Sequence, residues 1–359
     1  MPNNFDQAAA VARIRAMIDP EKLKVADRIA DLNARYIGLS RDQLVQSALA
    51  GMVASIATVD IKAVSKPDKR RIVAICGDSG AGKTRTLLEH TNRIQAMQPY
   101  VDDDGVEVSP LLNFNAPSPC PPRLLALTGL DALGYPVRRQ LQEHQAWALF
   151  QQMLKSHRIM FVMIDEAQHA VDTADILATT KIGNAYKNLV QMPDWPVRLI
   201  LAGVPPLASF LARKQLYNRR TVIRFEKLKG KSARETVETV LKKVIIEHAQ
   251  LNLDTTLDGD LVTRLTYACD GEFGSVVQMV RGAVEHAIQD GVNAVTIDHF
   301  KRVYETYSGC VPAENIFSAN DWRGMTPQTA FLRDEDHEWE EAQLEKKKRK
   351  TSTKFGVRP

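Results

Sequence analysis

The octapeptide Gly77-Asp78-Ser79-Gly80-Ala81-Gly82-Lys83-Thr84 fits the phosphate-binding pattern G-x-x-x-x-G-K-[ST] and constrains this chain more than any other feature. An apolar run, Ile72-Val73-Ala74-Ile75, precedes it, and a helix-like stretch with Leu87 and Leu88 follows. Strand, glycine-rich loop and helix in that order are the context the pattern needs. Three glycines let the backbone curl into an anion nest, and the start of the following helix adds its positive dipole end. Lys83 is expected to reach the β- and γ-phosphates, and the Thr84 hydroxyl to sit on Mg²⁺. The cofactor-binding set therefore runs from Gly77 through Thr84 to Arg85. A plain surface glycine turn would leave the Lys-Thr pair without a reason.

A second half of such a site lies further on. Met160-Phe161-Val162-Met163-Ile164-Asp165-Glu166 is an apolar strand ending in two carboxylates. Buried acids at a strand end are costly unless a cation or donor satisfies them. Asp165 is the candidate metal-site acid, and Glu166 the candidate base that activates water. The alternative for Glu166 is an acid that only favours the start of a helix. The Asp-Glu pair favours ATP hydrolysis over a kinase or a GTPase. No Asn-Lys-x-Asp guanine-reading motif follows a later strand. The strand at 197–202 ends in Ala202-Gly203-Val204-Pro205, which offers no polar side chain to sense a terminal phosphate; either a neighbour serves or sensing is weak. Arg213, Lys214, Arg219, Arg220 and Arg224 cluster before and within a fifth strand. Arg219 or Arg220 is the candidate to act in trans on a neighbouring subunit's site, with ordinary surface charge as the other reading.

Length and composition set the frame. At 359 residues the chain holds two domains, or one with extensions. A hydrophobic content of 44% with 25% charged residues is that of a soluble globular protein and argues against global disorder. A net charge of +4 and a pI near 8.8 permit nucleic-acid binding without demanding it. Cys76, Cys120, Cys269 and Cys310 lie far apart, which argues against a zinc ribbon or a disulfide framework and for a reduced, cytoplasmic setting. No apolar run approaches the roughly 18 residues that span a bilayer. Met1-Pro2-Asn3-Asn4-Phe5-Asp6 lacks the basic start and apolar core of a signal peptide.

Along the chain, residues 1–65 read as a helical extension. Asp19-Pro20-Glu21 starts one helix, with Ile29 and Leu32 on one face. Ser40-Arg41-Asp42-Gln43 reads as a capping box for a second helix carrying Leu44, Ala48, Met52 and Ile56. Lys66-Pro67-Asp68-Lys69-Arg70-Arg71 forms a basic junction, read as a solvated linker. From 66 to 228 strands and helices alternate, which predicts an α/β layer fold with a mainly parallel sheet. Strand candidates are 71–76, 109–115, 159–164, 197–202 and 221–225. From 229 to 308 the pattern turns helical: Ser232-Ala233-Arg234-Glu235 reads as a capping box, and Leu261/Leu265 and Val276/Val280/Val284/Ile288 mark two helices. Thr296-Ile297-Asp298 starts the last. Residues 309–359 read as a flexible tail for partner docking, with Trp322 and Phe331 as candidate anchors or as tail folded back on its own domain. The Lys346-Lys347-Lys348-Arg349-Lys350 run is a solvated stretch or a tether.

These pieces together resemble an AAA+ ATPase of the TniB/TnsC transposition-regulator kind, over residues 35 to 308. The resemblance rests on the glycine loop 77–84, Asn115-Ala116-Pro117, Leu133-Gly134-Tyr135-Pro136 and Ile164-Asp165-Glu166-Ala167-Gln168-His169. It continues through Lys187-Asn188-Leu189, Leu201-Ala202-Gly203-Val204-Pro205 and Gly291-Val292-Asn293-Ala294-Val295-Thr296. It implies a three-layer P-loop core with a small all-α lid, and ATP and Mg²⁺ as cofactors. It also implies slow, switch-like hydrolysis to ADP and phosphate. Such proteins assemble with ATP as hexameric or heptameric rings or as helical filaments on double-stranded DNA, and bridge a target-selection protein to a transposase. Gly203-Val204 departs from a frequent Gly-Thr. The expected lid arginine is absent from Gly271-Glu272-Phe273-Gly274-Ser275, and Arg281 stands further along. Arg123, Arg138, Arg139 and Lys181 fall on segments that face the central pore in such ATPases and are the DNA-binding candidates, with solvated surface as the competing reading. No base-reading module stands out, so binding should be directed at the phosphate backbone. The alternative function is an AAA+ motor or remodelling ATPase of the secretion or replication-initiation type.

Overall fold

The computed structural model describes residues 7–57, 68–172, 176–254 and 260–327. Lys66, Pro67, Phe331 and the Lys346–Lys350 run lie outside the described residues. The described residues form two compact units, 38–226 in one and 7–37 with 227–327 in the other.

The first unit is a five-stranded parallel sheet with helices on both faces. Its sheet strands are β1 (Ile72–Gly77), β4 (Leu111–Asn115), β5 (Phe161–Asp165), β6 (Arg198–Gly203) and β7 (Arg220–Phe225), in the spatial order β4-β5-β6-β1-β7. A short antiparallel pair, β2 (Tyr100–Val101) and β3 (Glu107–Val108), stands apart. The helices are α3 (Asp42–Ala57), α4 (Lys83–Asn92), α5 (Pro122–Ala132), α6 (Glu143–Ser156), α7 (His169–Asp172), α8 (Ile176–Leu189) and α9 (Pro206–Leu211). Each of the five sequence-predicted strands forms, shifted by one or two residues.

The sheet is parallel because its strands are joined by helical crossovers. Parallel strands with both faces covered read as continuous apolar runs, and β1, β5 and β6 are buried at every position. Successive residues serve opposite faces. Ile72, Ala74 and Cys76 join Val162, Ile164, Leu199 and Leu201 in one core layer. Val73 and Ile75 join Met163, Ile200 and Ala202 in the other, which α3 covers with Val45, Leu49 and Met52. Of the expected face, Met52 is buried and Ala48 and Ile56 are partly buried against this layer; Leu44 alone is exposed, and Val45 and Leu49 complete the stripe. Ser40 does not cap the helix. Asp42 Oδ2 instead accepts the Leu39 amide at 3.1 Å. Edge strand β4 is buried on one face only, so Asn113 and Asn115 stay exposed.

The second unit is helical. It holds α1 (Gln7–Arg15), α2 (Pro20–Ala34), α10 (Gly230–Leu241), α11 (Asp260–Ala268), α12 (Phe273–Gln289) and α13 (Ile297–Ser308). A small parallel pair joins β8 (Asn252–Leu253) to β9 (Ala294–Val295). Asp19 caps α2 by accepting the Glu21 and Lys22 amides, with Pro20 in the first turn, as the sequence predicts. Thr296 and His299 form a reciprocal cap on α13. The Ser232 capping box does not form, because α10 begins earlier, at Gly230, and Ser232 Oγ donates to the Lys229 carbonyl. The apolar stripe Val276/Val280/Val284/Ile288 is buried. Arg281 donates to the Arg35 carbonyl and ties α12 to the end of α2.

Residues 309–327, in the stretch read as tail, pack onto this helical unit. Ile316, Phe317 and Trp322 are buried. Trp322 meets Tyr267 edge to face at 5.2 Å, and Arg264 reaches the carbonyls of Ile316 and Ala319.

Candidate functional site

At the carboxyl ends of β1, β5 and β6 the sheet opens into the crevice where parallel α/β sheets bind ligands. Gly77 ends β1. A Cβ there would stand 2.8 Å from both the Phe225 Cβ and its carbonyl oxygen, so only glycine lets the loop leave the sheet. Asp78 and Ser79 follow. Gly80 and Gly82 have φ of 75° and 85°, left-handed conformations that cost other residues free energy. Between them, Ala81 is buried and donates its amide to the Asp78 carbonyl at 3.2 Å. This curl delivers the chain to the first turn of α4, whose leading amides have no intrahelical acceptor.

Lys83 is only 7% exposed and donates from Nζ to the carbonyls of Gly77 at 2.9 Å and Asp78 at 3.0 Å. The ammonium is thus folded over the loop it belongs to. Thr84 Oγ1 donates to Asp165 Oδ2 at 2.5 Å. Arg85, one residue on, is exposed.

Asp165 is 7% exposed, and its other oxygen, Oδ1, accepts the Glu166 amide at 2.8 Å. Glu166 takes φ +49°, rare for a residue with a Cβ and of the kind that clusters at functional sites. Its turn is pinned on two sides. The Ala116 amide donates to the Asp165 carbonyl at 2.9 Å, and the Ala167 amide donates to the Ala202 carbonyl at 2.8 Å. Gln168 Nε2 donates to Glu166 Oε2 at 2.5 Å.

These residues fit a nucleotide with Mg²⁺. The left-handed glycines and the helix start supply an anion nest. The Thr84 hydroxyl and Asp165 carboxylate are two hard oxygen donors in mutual contact, the number a Mg²⁺ shared with phosphates and water draws from protein. Among the described residues no group of three or more His, Cys, Asp or Glu could hold a metal alone. Burial pushes the nearby Cys76 thiol up to about 11, against the pull of the Lys83 and Arg224 charges, so it stays neutral beside the loop.

Residues 66–211 match the family model described as an AAA domain. The core has the AAA+ fold. It is similar to the crystal structure of Cdc6p from Pyrobaculum aerophilum, with TM-score 0.53 and 15% identity, over 77% of this chain and 70% of that one. Two further similar structures are the Aeropyrum pernix ORC2 protein in ADPNP-ADP complexes and the Thermotoga maritima RuvB Holliday junction branch migration motor. The first has TM-score 0.48 and 16% identity over 71% of this chain and 66% of that one. The second has TM-score 0.43 and 11% identity over 80% and 73%. No curated protein matches the chain significantly.

The AAA+ core brings the glycine loop, Asp165 and Glu166 together. It does not bring Arg219 and Arg220 to them. Arg220 opens β7 opposite Ile72, at the amino end of β1, some ~16 Å of strand from Gly77. Both are half-buried. Arg219 donates to the Gln215 carbonyl at 3.0 Å, and the Arg220 guanidinium lies 5.3 Å from the Tyr217 ring. Arg123 in the first turn of α5, Arg138 and Arg139 before α6, and Lys181 on α8 are all exposed. Lys181 Nζ is paired with Glu143 at 3.1 Å.

Two residues near the site escaped the sequence reading. Arg41 donates to the Ala81 carbonyl at 2.6 Å and stacks 3.8 Å over the Phe225 ring, bracing the glycine loop from about forty residues upstream. No local pattern signals such a contact. Gln168 had a weak signal, its place two residues after Glu166.

Membrane insertion through a helix has no candidate: among the described residues none is long and apolar enough to cross a bilayer.

Proposed function

We propose that this protein binds and hydrolyses ATP and uses the nucleotide state to control assembly on double-stranded DNA. The observation that carries this reading is the contact of Thr84 with Asp165, with Glu166 next in the chain. It supports a phosphate and cation site adjoining a base. In this reading the glycine loop and Lys83 bind and orient the terminal phosphates of ATP. Thr84 and Asp165 hold Mg²⁺, which when bound neutralises phosphate charge. Glu166 accepts a proton from the attacking water. Arg219 or Arg220, remote from the site of their own chain, suit contact with a neighbouring copy.

The motif combination that resembles TniB/TnsC supports the finer reading: an ATP-gated regulator of DNA transposition, slow in turnover, bridging a target-selection protein and a transposase, and acting in the cytoplasm. Arg123, Arg138, Arg139 and Lys181 are the proposed phosphate contacts on DNA. The likeness to a Cdc6 structure favours, as second reading, a replication-initiation type of ATPase.

Glu166→Gln tests the chemistry. It should keep ATP binding and slow hydrolysis about 10²-fold or more, trapping the ATP-bound assembly. Turnover within a factor of two of wild type would remove Glu166 as the base. Electron microscopy with an ATP analogue and duplex DNA then tests assembly. DNA-stimulated turnover without processive movement supports the regulator, and processive movement supports a motor.

A further inference from the structure

The end of β6 carries Gly203-Val204, neither of which has a polar side chain, yet a buried amide lies against it. Gln168 is 5% exposed. Its Nε2 donates to Glu166 Oε2 at 2.5 Å, and its Oε1 accepts the Val204 backbone N–H at 3.3 Å. One side chain thus bridges the carboxylate at the end of β5 to the backbone at the end of β6. The main chain runs the same way, since Ala167 donates to the Ala202 carbonyl at 2.8 Å.

Gly203 leaves room for this bridge. A Cβ on Gly203 would stand 2.6 Å from Gln168 Oε1, 3.1 Å from Leu207 Cδ2 and 3.2 Å from the Gln168 backbone nitrogen. Contacts under 3.0 Å force a shift, so any other residue would push the amide away. The glycine that removes a sensor side chain is also what makes room for the glutamine.

We infer that Gln168 is the positioning residue for Glu166, an amide bridge that holds the carboxylate in one orientation and couples it to the β6 terminus. The inference rests on the reading of Glu166 as general base. A carboxylate that accepts a directed N–H from a buried amide loses rotamer freedom. That serves a base that must meet a water in one geometry. The bridge gives the β6 terminus a direct polar link to Glu166. Gln168 does not contact Lys83 or Thr84 in any hydrogen bond described above, so its loss should act on turnover rather than on nucleotide affinity.

The test uses the full chain with saturating ATP, Mg²⁺ and duplex DNA, together with direct measurement of ATP affinity. Gln168→Glu keeps the shape and the acceptor for Val204 but replaces the donor facing Glu166 by a carboxyl oxygen. Turnover should fall about 10-fold or more while ATP affinity stays within about twofold. As a second arm, Gly203→Ala should lower kcat in the wild type and have a clearly smaller effect in a Gln168→Ala background, because the nearest group it displaces is gone. Glu166→Gln is measured alongside. If it blocks turnover while Gln168→Glu keeps the wild-type rate, the bridge is overturned and the base survives. If Glu166→Gln hydrolyses normally, the base reading itself falls and the bridge with it. Loss of ATP affinity in Gln168→Glu, or Gly203→Ala effects that add in both backgrounds, would make Gln168 a packing residue and overturn the proposal.

Discussion

Thr84 Oγ1 donates to Asp165 Oδ2 across 2.5 Å, although 81 positions separate the two residues in the chain. The contact joins the first turn of α4 to the carboxyl end of β5. Each partner is an oxygen ligand suited to Mg²⁺. Thr84→Val keeps the shape and removes the hydroxyl. We expect ADP affinity in the presence of Mg²⁺ to fall about 10-fold, with affinity in EDTA unchanged. Titration calorimetry in both buffers measures the difference. Equal losses in both would mean that Thr84 supports the loop rather than a cation.

Lys83 donates to two carbonyls of its own loop. Hydrogen bonds of this kind contribute about 1 kcal/mol each, up to ~3 when the donor is charged. Holding a buried ammonium offsets much of that. Lys83→Ala should therefore change the melting temperature by only a few degrees while abolishing measurable ATP binding or turnover. A large fall in melting temperature would make the lysine a structural residue first.

Asn315 is fully buried and satisfies three groups at once. Its Nδ2 donates to the Lys301 carbonyl and to Glu305 Oε1, both at 3.0 Å, and its Oδ1 accepts the Phe317 amide at 2.9 Å. Asn315→Ala leaves these partners unsatisfied and should cost about 2–4 kcal/mol in the helical unit. Trp322→Ala, 2% exposed in the wild type, should cost about 3–5 kcal/mol by cavity formation. Urea unfolding reads both, and limited proteolysis should then cut within 309–327. Wild-type resistance in both variants would show that this segment contributes nothing to the unit.

DNA affinity should fall steeply with salt, with a log–log slope of about −0.9 for each phosphate neutralised. Charge removal at Arg138 and Arg139 together should shallow the slope by nearly two such steps without impairing ATP binding. Lys181 is already paired with Glu143, so Lys181→Ala should change it less. Filter binding with ATP, ADP and a non-hydrolysable analogue measures this. Equal binding with ADP and ATP would rule out nucleotide gating.

Cys76, Cys120 and Cys269 are buried, and burial pushes all three thiols up, Cys76 to about 11 and Cys120 to about 12. The thiolate is the reactive form, so at pH 8 these remain protonated and shielded. Cys310 is partly exposed. Iodoacetamide on the native protein should modify Cys310 alone, and mass spectrometry of peptides would show whether any other site reacts at a comparable rate.

Local chemistry made much of the core legible. The apolar run Ile72–Ile75 read as the strand before the loop, and it forms β1. Gly80 and Gly82 foretold left-handed backbone, and two acids at a strand end foretold a polar rim. Asp19-Pro20 and Thr296 announced helix starts because capping depends on residues within one turn. On α3 the reading of Ala48, Met52 and Ile56 as core-facing holds, but Leu44 is exposed and Val45 takes its place. Both have helical spacing, and only the sheet beneath selects between them. Residues 1–65 read as one segment, yet 7–37 lie in the helical unit and 38–57 in the α/β unit.

The sequence by itself determined the strand–loop–helix that cradles phosphate, the acidic strand end and the alternation that makes a parallel sheet. Each depends on backbone propensity and side-chain period over a few neighbouring residues. Only the tertiary structure decided which distant groups meet. It set Asp165 against Thr84, Arg41 under the glycine loop, Gln168 between Glu166 and Val204, and Arg219 and Arg220 at the opposite, amino end of the strands. Strand order and crossover path make those pairings, and neither is encoded in the spacing of residues along the chain.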